Sequence, residues 1–157
     1  MTRARFAAAI LAAALAGSGA AAAGEAPAGD GLVRVPSTHS VGTTLDRLAE
    51  MLESKGLTVF ARVDHRANAA GADLEMRAAQ VLIFGNPKLG TPLMKAAPTV
   101  GIDLPQKALA YKDAQGQVWL TYNDPAHLAE RHGIPGQDGV LNKIDKALAT
   151  FARKAAQ

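Results

Sequence analysis

Between residues 41 and 52 the apolar side chains fall at Val41, Leu45, Leu48, Ala49 and Leu52. That spacing sets them on one face of a helix. Ser40 stands before the run as an N-cap, and Gly56 follows it as a left-handed stop. The next stretch, "LTVFARVD" (57–64), alternates at period two instead. It predicts a strand with Leu57, Val59, Ala61 and Val63 on one face and Thr58, Phe60, Arg62 and Asp64 on the other. "LVRVPS" (32–37) reads as an earlier strand, kept at an edge by Pro36, which has no N–H to give a ladder. "AQVLIFGN" (79–86) holds four consecutive apolar residues, the pattern of a central strand buried on both faces.

Other segments carry their own punctuation. "HRANAAG" predicts a short helical turn ended by Gly71. A helix of roughly ten residues with Leu93, Met94 and Ala97 follows the third strand. "QKALAYKDAQGQVWLTYND" (106–124) reads as a hairpin, with Asp113 and Gly116 at the first and fourth places of a type I turn. "DPAHLAERHG" opens on an Asp cap and Pro125, and Gly133 stops it. A last helix starts near Asp138, with Val140, Leu141, Ile144, Leu148 and Phe151 on one stripe. This order predicts an α+β fold: two layers, a mixed and largely antiparallel sheet of about five strands, and helices mainly on one face.

The first segment follows different rules. "MTRAR" carries two arginines, and the Ala-rich run after it has no charge until Glu25. With Ala21-Ala22-Ala23 at its end, residues 1–23 have the form of a secretory signal peptide, so a periplasmic or secreted protein is expected. Gly17, Ser18 and Gly19 interrupt the run, so no stable membrane span is expected after cleavage. Residues 24–31 read as a flexible tether and residues 32–157 as one domain. The leader takes Arg3 and Arg5 with it, two of the 17 basic residues that stand against 14 acidic ones. The remainder is near balance and poor in aromatic residues, which argues against nucleic acid as a partner. With no cysteine there is no disulfide, thiolate nucleophile or haem attachment motif.

Candidate chemistry centres on "VLIFGNPKLGTPLM" (81–94). Gly85 and Gly90 have the spacing of a phosphate loop, but Lys88 lies between them and Thr91 follows Gly90 where that loop needs Lys. Asn86 as N-cap and Pro87 at the first helical position explain these residues as a helix start. Such a start offers amides and a partial positive charge to a small anion, with Lys88 beside it. His127 and His132 are five apart, outside the zinc-pair spacing on a helix. Ser37, Ser40 and Ser54 lie outside any Gly-x-Ser-x-Gly elbow. Asp64, Asp103 and Asp124 each sit beside a strand end or turn.

The segments "FARVDHRANAAGADL", "VLIFGNPKLGTPLM" and "IDLPQKALAYKDAQGQVWLTYNDPAHLAERHGI" resemble the domain of unknown function 302 family in content and order. The resemblance implies a compact α+β fold and a homodimer, and it brings no established reaction or cofactor. Its motif positions include Asp64, His65, Gly85, Asn86, Pro87, Gly90, Thr91, Asp103, Pro105, Tyr122 and Pro125.

The expected function is that of an exported binding module for a small polar or anionic ligand or a partner protein. Its site would gather His65, Asn86, Lys88, Gly90, Thr91, Asp103 and Tyr122 at one rim. The alternatives are a hydrolase- or isomerase-type enzyme with Asp64 or His65 as general base, and a periplasmic metal-binding protein using His65 and Asp103.

Overall fold

The computed structural model describes residues 29–157. The expected leader, 1–23, and most of the tether lie outside the described residues. Gly29, Asp30 and Gly31 form a turn that belongs to the domain. Asp30 bonds the Arg34 guanidinium, and the Gly31 carbonyl accepts from Asp124 N at 2.9 Å. Gly31 has φ +74°, and a Cβ there would come within 2.3 Å of the His127 ring, so only glycine fits.

Five strands form one sheet: β1 (Leu32–Ser37), β2 (Thr58–Asp64), β3 (Ala79–Gly85), β4 (Gln106–Lys112) and β5 (Val118–Asn123). Their order is β1-β5-β4-β3-β2, and every ladder is antiparallel. Strands β2 to β5 form a meander, and β1 adds to its far edge. Helix α1 (Val41–Ser54) must therefore cross the whole sheet to join β1 to β2. Ser40 caps α1 through Thr43 N, as the sequence predicts. Five more helical pieces complete the described residues: α2 (His65–Ala70), α3 (Pro87–Ala96), a 3₁₀ turn (Pro98–Ile102), α4 (Pro125–His132) and α5 (Asp138–Ala156). The 3₁₀ turn is absent from the sequence reading. Its few residues carry no period to detect.

Helices α1 and α5 pack against each other and against one face of the sheet. Leu45, Leu48 and Leu52 meet Leu82, Phe84, Ala108, Ala110 and Leu120, while Leu141, Ile144 and Leu148 enter from α5. Burying side chains of this size contributes about 1.5–3 kcal/mol each.

Strand β3 departs from its expected place. It is second from an edge, and only Leu82 and Phe84 are buried, while Val81 and Ile83 are half-buried on the opposite face. Strand β2 departs too. Phe60 is an extra residue between Val59, which pairs with Phe84, and Ala61, which pairs with Ile83. This bulge shifts the parity, so Val59 and Val63 lie on opposite faces rather than together. It leaves Phe60 53% exposed beside the end of β3.

Candidate functional site

The "FGNPKLGT" stretch folds as a strand end followed by a helix start. The Asn86 side chain accepts from Lys88 N at 2.9 Å, and the Asn86 carbonyl accepts from Leu89 N and Gly90 N. Pro87 has no N–H. The first-turn amides are therefore all committed, and none is free to hold an anion. The expected grip by Asn86 and the amides after it is not available.

A cavity of about 200 Å³ opens beside this turn, between the β3–α3 junction, the start of β4 and helix α5. Phe60, Phe84, Leu89, Met94, Ile144 and Phe151 supply much of its wall. Gly90 faces it without a side chain; a Cβ there would have Leu104 and Met94 at 3.8 Å. Among the described residues only Asn86, Thr91 and Gln106 bring polar side chains to it. Asn86 is spent on its cap, and Thr91 is exposed. Gln106, on the core face of β4 opposite Phe84, is only 8% exposed.

Of the expected site residues, Asn86, Gly90 and Thr91 line this cavity, while His65, Lys88, Asp103 and Tyr122 do not. His65 begins α2 next to Asp64, which pairs with Gln80 at the opposite end of β3. Six residues of strand, roughly 20 Å, separate that end from Asn86. Tyr122 is buried on the core face of β5, between Ala108 and Val33, and burial pushes its phenol up to about 12. Lys88 is exposed and borders a separate shallow groove with Lys95 and Gln137. The single polar rim expected from sequence therefore does not form.

The carboxylate expected as a general base is occupied. Asp64 caps α2 by accepting from Ala67 N at 2.9 Å and also accepts from Gln80 Nε2 at 2.7 Å. The Ala67 amide, more than any other group, holds its carboxyl below the usual value. A carboxylate stabilised in this way is a weaker base.

Asp103 meets an imidazole, but not the expected one. His132 Nε2 lies 2.6 Å from Asp103 Oδ2, and His132 Nδ1 lies 3.1 Å from Thr99 Oγ1. Both ring nitrogens are engaged, so the pair ties α4 to the 3₁₀ turn. The sequence reading missed it because 29 residues separate the partners. Among the described residues no three His, Cys, Asp or Glu side chains gather where a metal ion would sit.

Residues 33–151 match the family model described as Domain of unknown function DUF302. The chain belongs to that family. A solved DUF302 structure, an uncharacterized conserved protein from Bacillus stearothermophilus, superposes with a TM-score of 0.72 at 20% identity. The superposition covers 82% of this chain and 99% of the other, and it shows that the two share a fold. This DUF302 chain is also 52% identical over 127 residues to proteins named "Fluoride-specific ion channel FluC 1" from Brucella suis and Brucella abortus. The match takes in 80% of this chain and 50% and 47% of those proteins, so the chain spans about half the length of these curated relatives. No described helix of the DUF302 chain is long and apolar enough to cross a membrane.

Proposed function

We propose that this DUF302 protein is a binding module for a small apolar molecule, held in the cavity between the β3–α3 turn and α5. The carbon-rich wall carries this reading. A cavity with Phe, Leu, Met and Ile on most sides rewards apolar surface and penalises a bare charge. This shifts the expected ligand away from the polar or anionic class. An engineered cavity of about 150 Å³ takes up benzene, so the space here suits one ring or a short acyl chain. Phe60 and Met94 are partly exposed at the wall and extend the apolar surface outward.

Titration with toluene, followed by amide chemical shifts, tests the reading. Shifts are expected at Gly85, Gly90, Gln106 and Ala147. In Gly90→Leu the added side chain fills the space, and the shifts disappear. Toluene effects scattered over the surface and untouched by Gly90→Leu would remove the cavity as a site.

A second reading draws on the curated relatives. Half of a protein named as a fluoride-specific ion channel is matched at 52% identity. We propose on that ground that the domain acts alongside such a channel, exported by its N-terminal leader. A strain lacking the gene would then show altered fluoride tolerance, restored by the full chain but not by one starting at Gly29. An unaltered tolerance would set this reading aside.

A further inference from the structure

We infer that Gln106 is the specificity residue of the cavity, and that the natural ligand carries one neutral hydrogen-bonding group, a hydroxyl or carbonyl, at its buried end. This rests on the apolar-cavity reading above and makes it more specific.

Gln106 occupies an unusual position for its type. It is 8% exposed and sits on the core face of β4, in line with Ala108 and Ala110 and across from Phe84. Gln106 lines the cavity, and its carboxamide makes no hydrogen bond to the described residues. Neighbouring polar side chains are committed elsewhere. The Lys107 ammonium reaches the Asp103 carbonyl at 3.0 Å, and the Asn86 carboxamide caps α3. The polar atoms of Gln106 are not sealed from water, so a ligand entering the cavity displaces that water and gains from replacing its hydrogen bonds. An amide offers two donors and two acceptor lone pairs, so it can serve a hydroxyl or a carbonyl equally. Among the described residues no side chain of the cavity wall carries a charge. The partner group is therefore neutral, and the rest of the ligand is hydrocarbon.

The experiment compares p-cresol with toluene, two rings of similar size that differ by a hydroxyl, on the full chain and on Gln106→Met. Methionine keeps the approximate volume and removes the amide. In the parent protein the cresol-to-toluene affinity ratio is expected to exceed that of the variant by about tenfold, the upper end of one hydrogen bond's net worth. Toluene binding itself should be retained by Gln106→Met, and the empty variant should melt at the same or a higher temperature. A ratio unchanged by the substitution overturns the role of Gln106 while leaving the cavity intact. Loss of toluene binding in Gln106→Met, or a lowered melting temperature, makes Gln106 a structural residue and also overturns it. Failure of both compounds to bind the parent protein removes the cavity reading and this one together.

Discussion

The His132 imidazole is held between Asp103 and Thr99, 2.6 Å from the carboxylate and 3.1 Å from the hydroxyl. Its side chain is only 6% exposed and that of Asp103 12%. With both ring nitrogens bonded across the junction, the pair clamps α4 to the 3₁₀ turn. Arg131, more than half exposed, adds a longer contact of 3.3 Å to the same carboxylate oxygen. His132→Ala leaves Asp103 nearly buried with only that weaker partner among the described residues. A loss of about 2 kcal/mol is expected, the usual range for a hydrogen bond to a charged group. Urea unfolding would measure it. A change below a few tenths would mean that the clamp contributes nothing.

Acid sensitivity is expected around the β4–β5 turn. Asp113 accepts from the Trp119 indole at 2.8 Å and from Gln115 N and Gln117 N, each at 2.9 Å. Those bonds, the indole's first, hold its carboxyl below 3.8. A depressed carboxylate contributes stability that is fully present above its unfolded value and lost as pH falls through the folded one. The turn therefore holds at neutral pH and weakens below about pH 4. Trp119 is the only tryptophan in the sequence, so its fluorescence reports the change directly. In Asp113→Asn the acid step in emission should be absent.

Tyr122 sets a limit at the other end of the scale. Its phenol is raised from 10.0 to about 12, first by burial and then by Asp145. A raised acid stays neutral in the fold while the unfolded chain ionises, so stability is present below pH 10 and lost between 10 and 12. Tyr122→Phe should keep the protein folded further into that range, as followed by circular dichroism. Equal alkaline midpoints for the two proteins would exclude Tyr122 as the cause.

Gly90 costs helix stability where it stands. It lies inside α3, and a Cβ there meets nothing nearer than 3.8 Å. Gly90→Ala should raise stability by roughly 0.5–1 kcal/mol through the unfolded chain's lost freedom. It should also weaken toluene binding by narrowing the cavity. A rise in melting temperature with unchanged binding would mean that the open space beside Gly90 is not used.

The sheet has a second face, outside the core under α1 and α5. Val81, Ile83, Leu109, Tyr111 and Trp119 are half-buried there, in neighbouring strands. We propose that two copies of the chain pair through this surface by a two-fold axis, which lets one patch complement itself. Light scattering should give twice the monomer mass for the parent and a single-chain mass for Leu109→Lys, with circular dichroism unchanged. A monomeric parent at high concentration would end the proposal.

Sequence alone was sufficient wherever local chemistry decides. Ser40, Asn86 and Asp124 cap helices as read, and Asp113 shapes its hairpin turn. Asp64 invited a catalytic reading and proved to be a cap as well, because a sequence shows a carboxylate but not the amides already bound to it. Periodicity likewise located α1, α5 and the β4–β5 hairpin, since each repeats a local pattern over enough residues to be read. Tertiary structure decided the rest. The Phe60 bulge exists only in register with β3, and parity along β2 cannot be counted through it. The distance from His65 to Asn86 depends on which end of β3 each occupies. Gln106, flanked by a proline and a lysine in the sequence, looks like a polar strand opening. Only the fold turns it inward onto a cavity, because burial is a property of what packs around a residue and not of its neighbours in the chain.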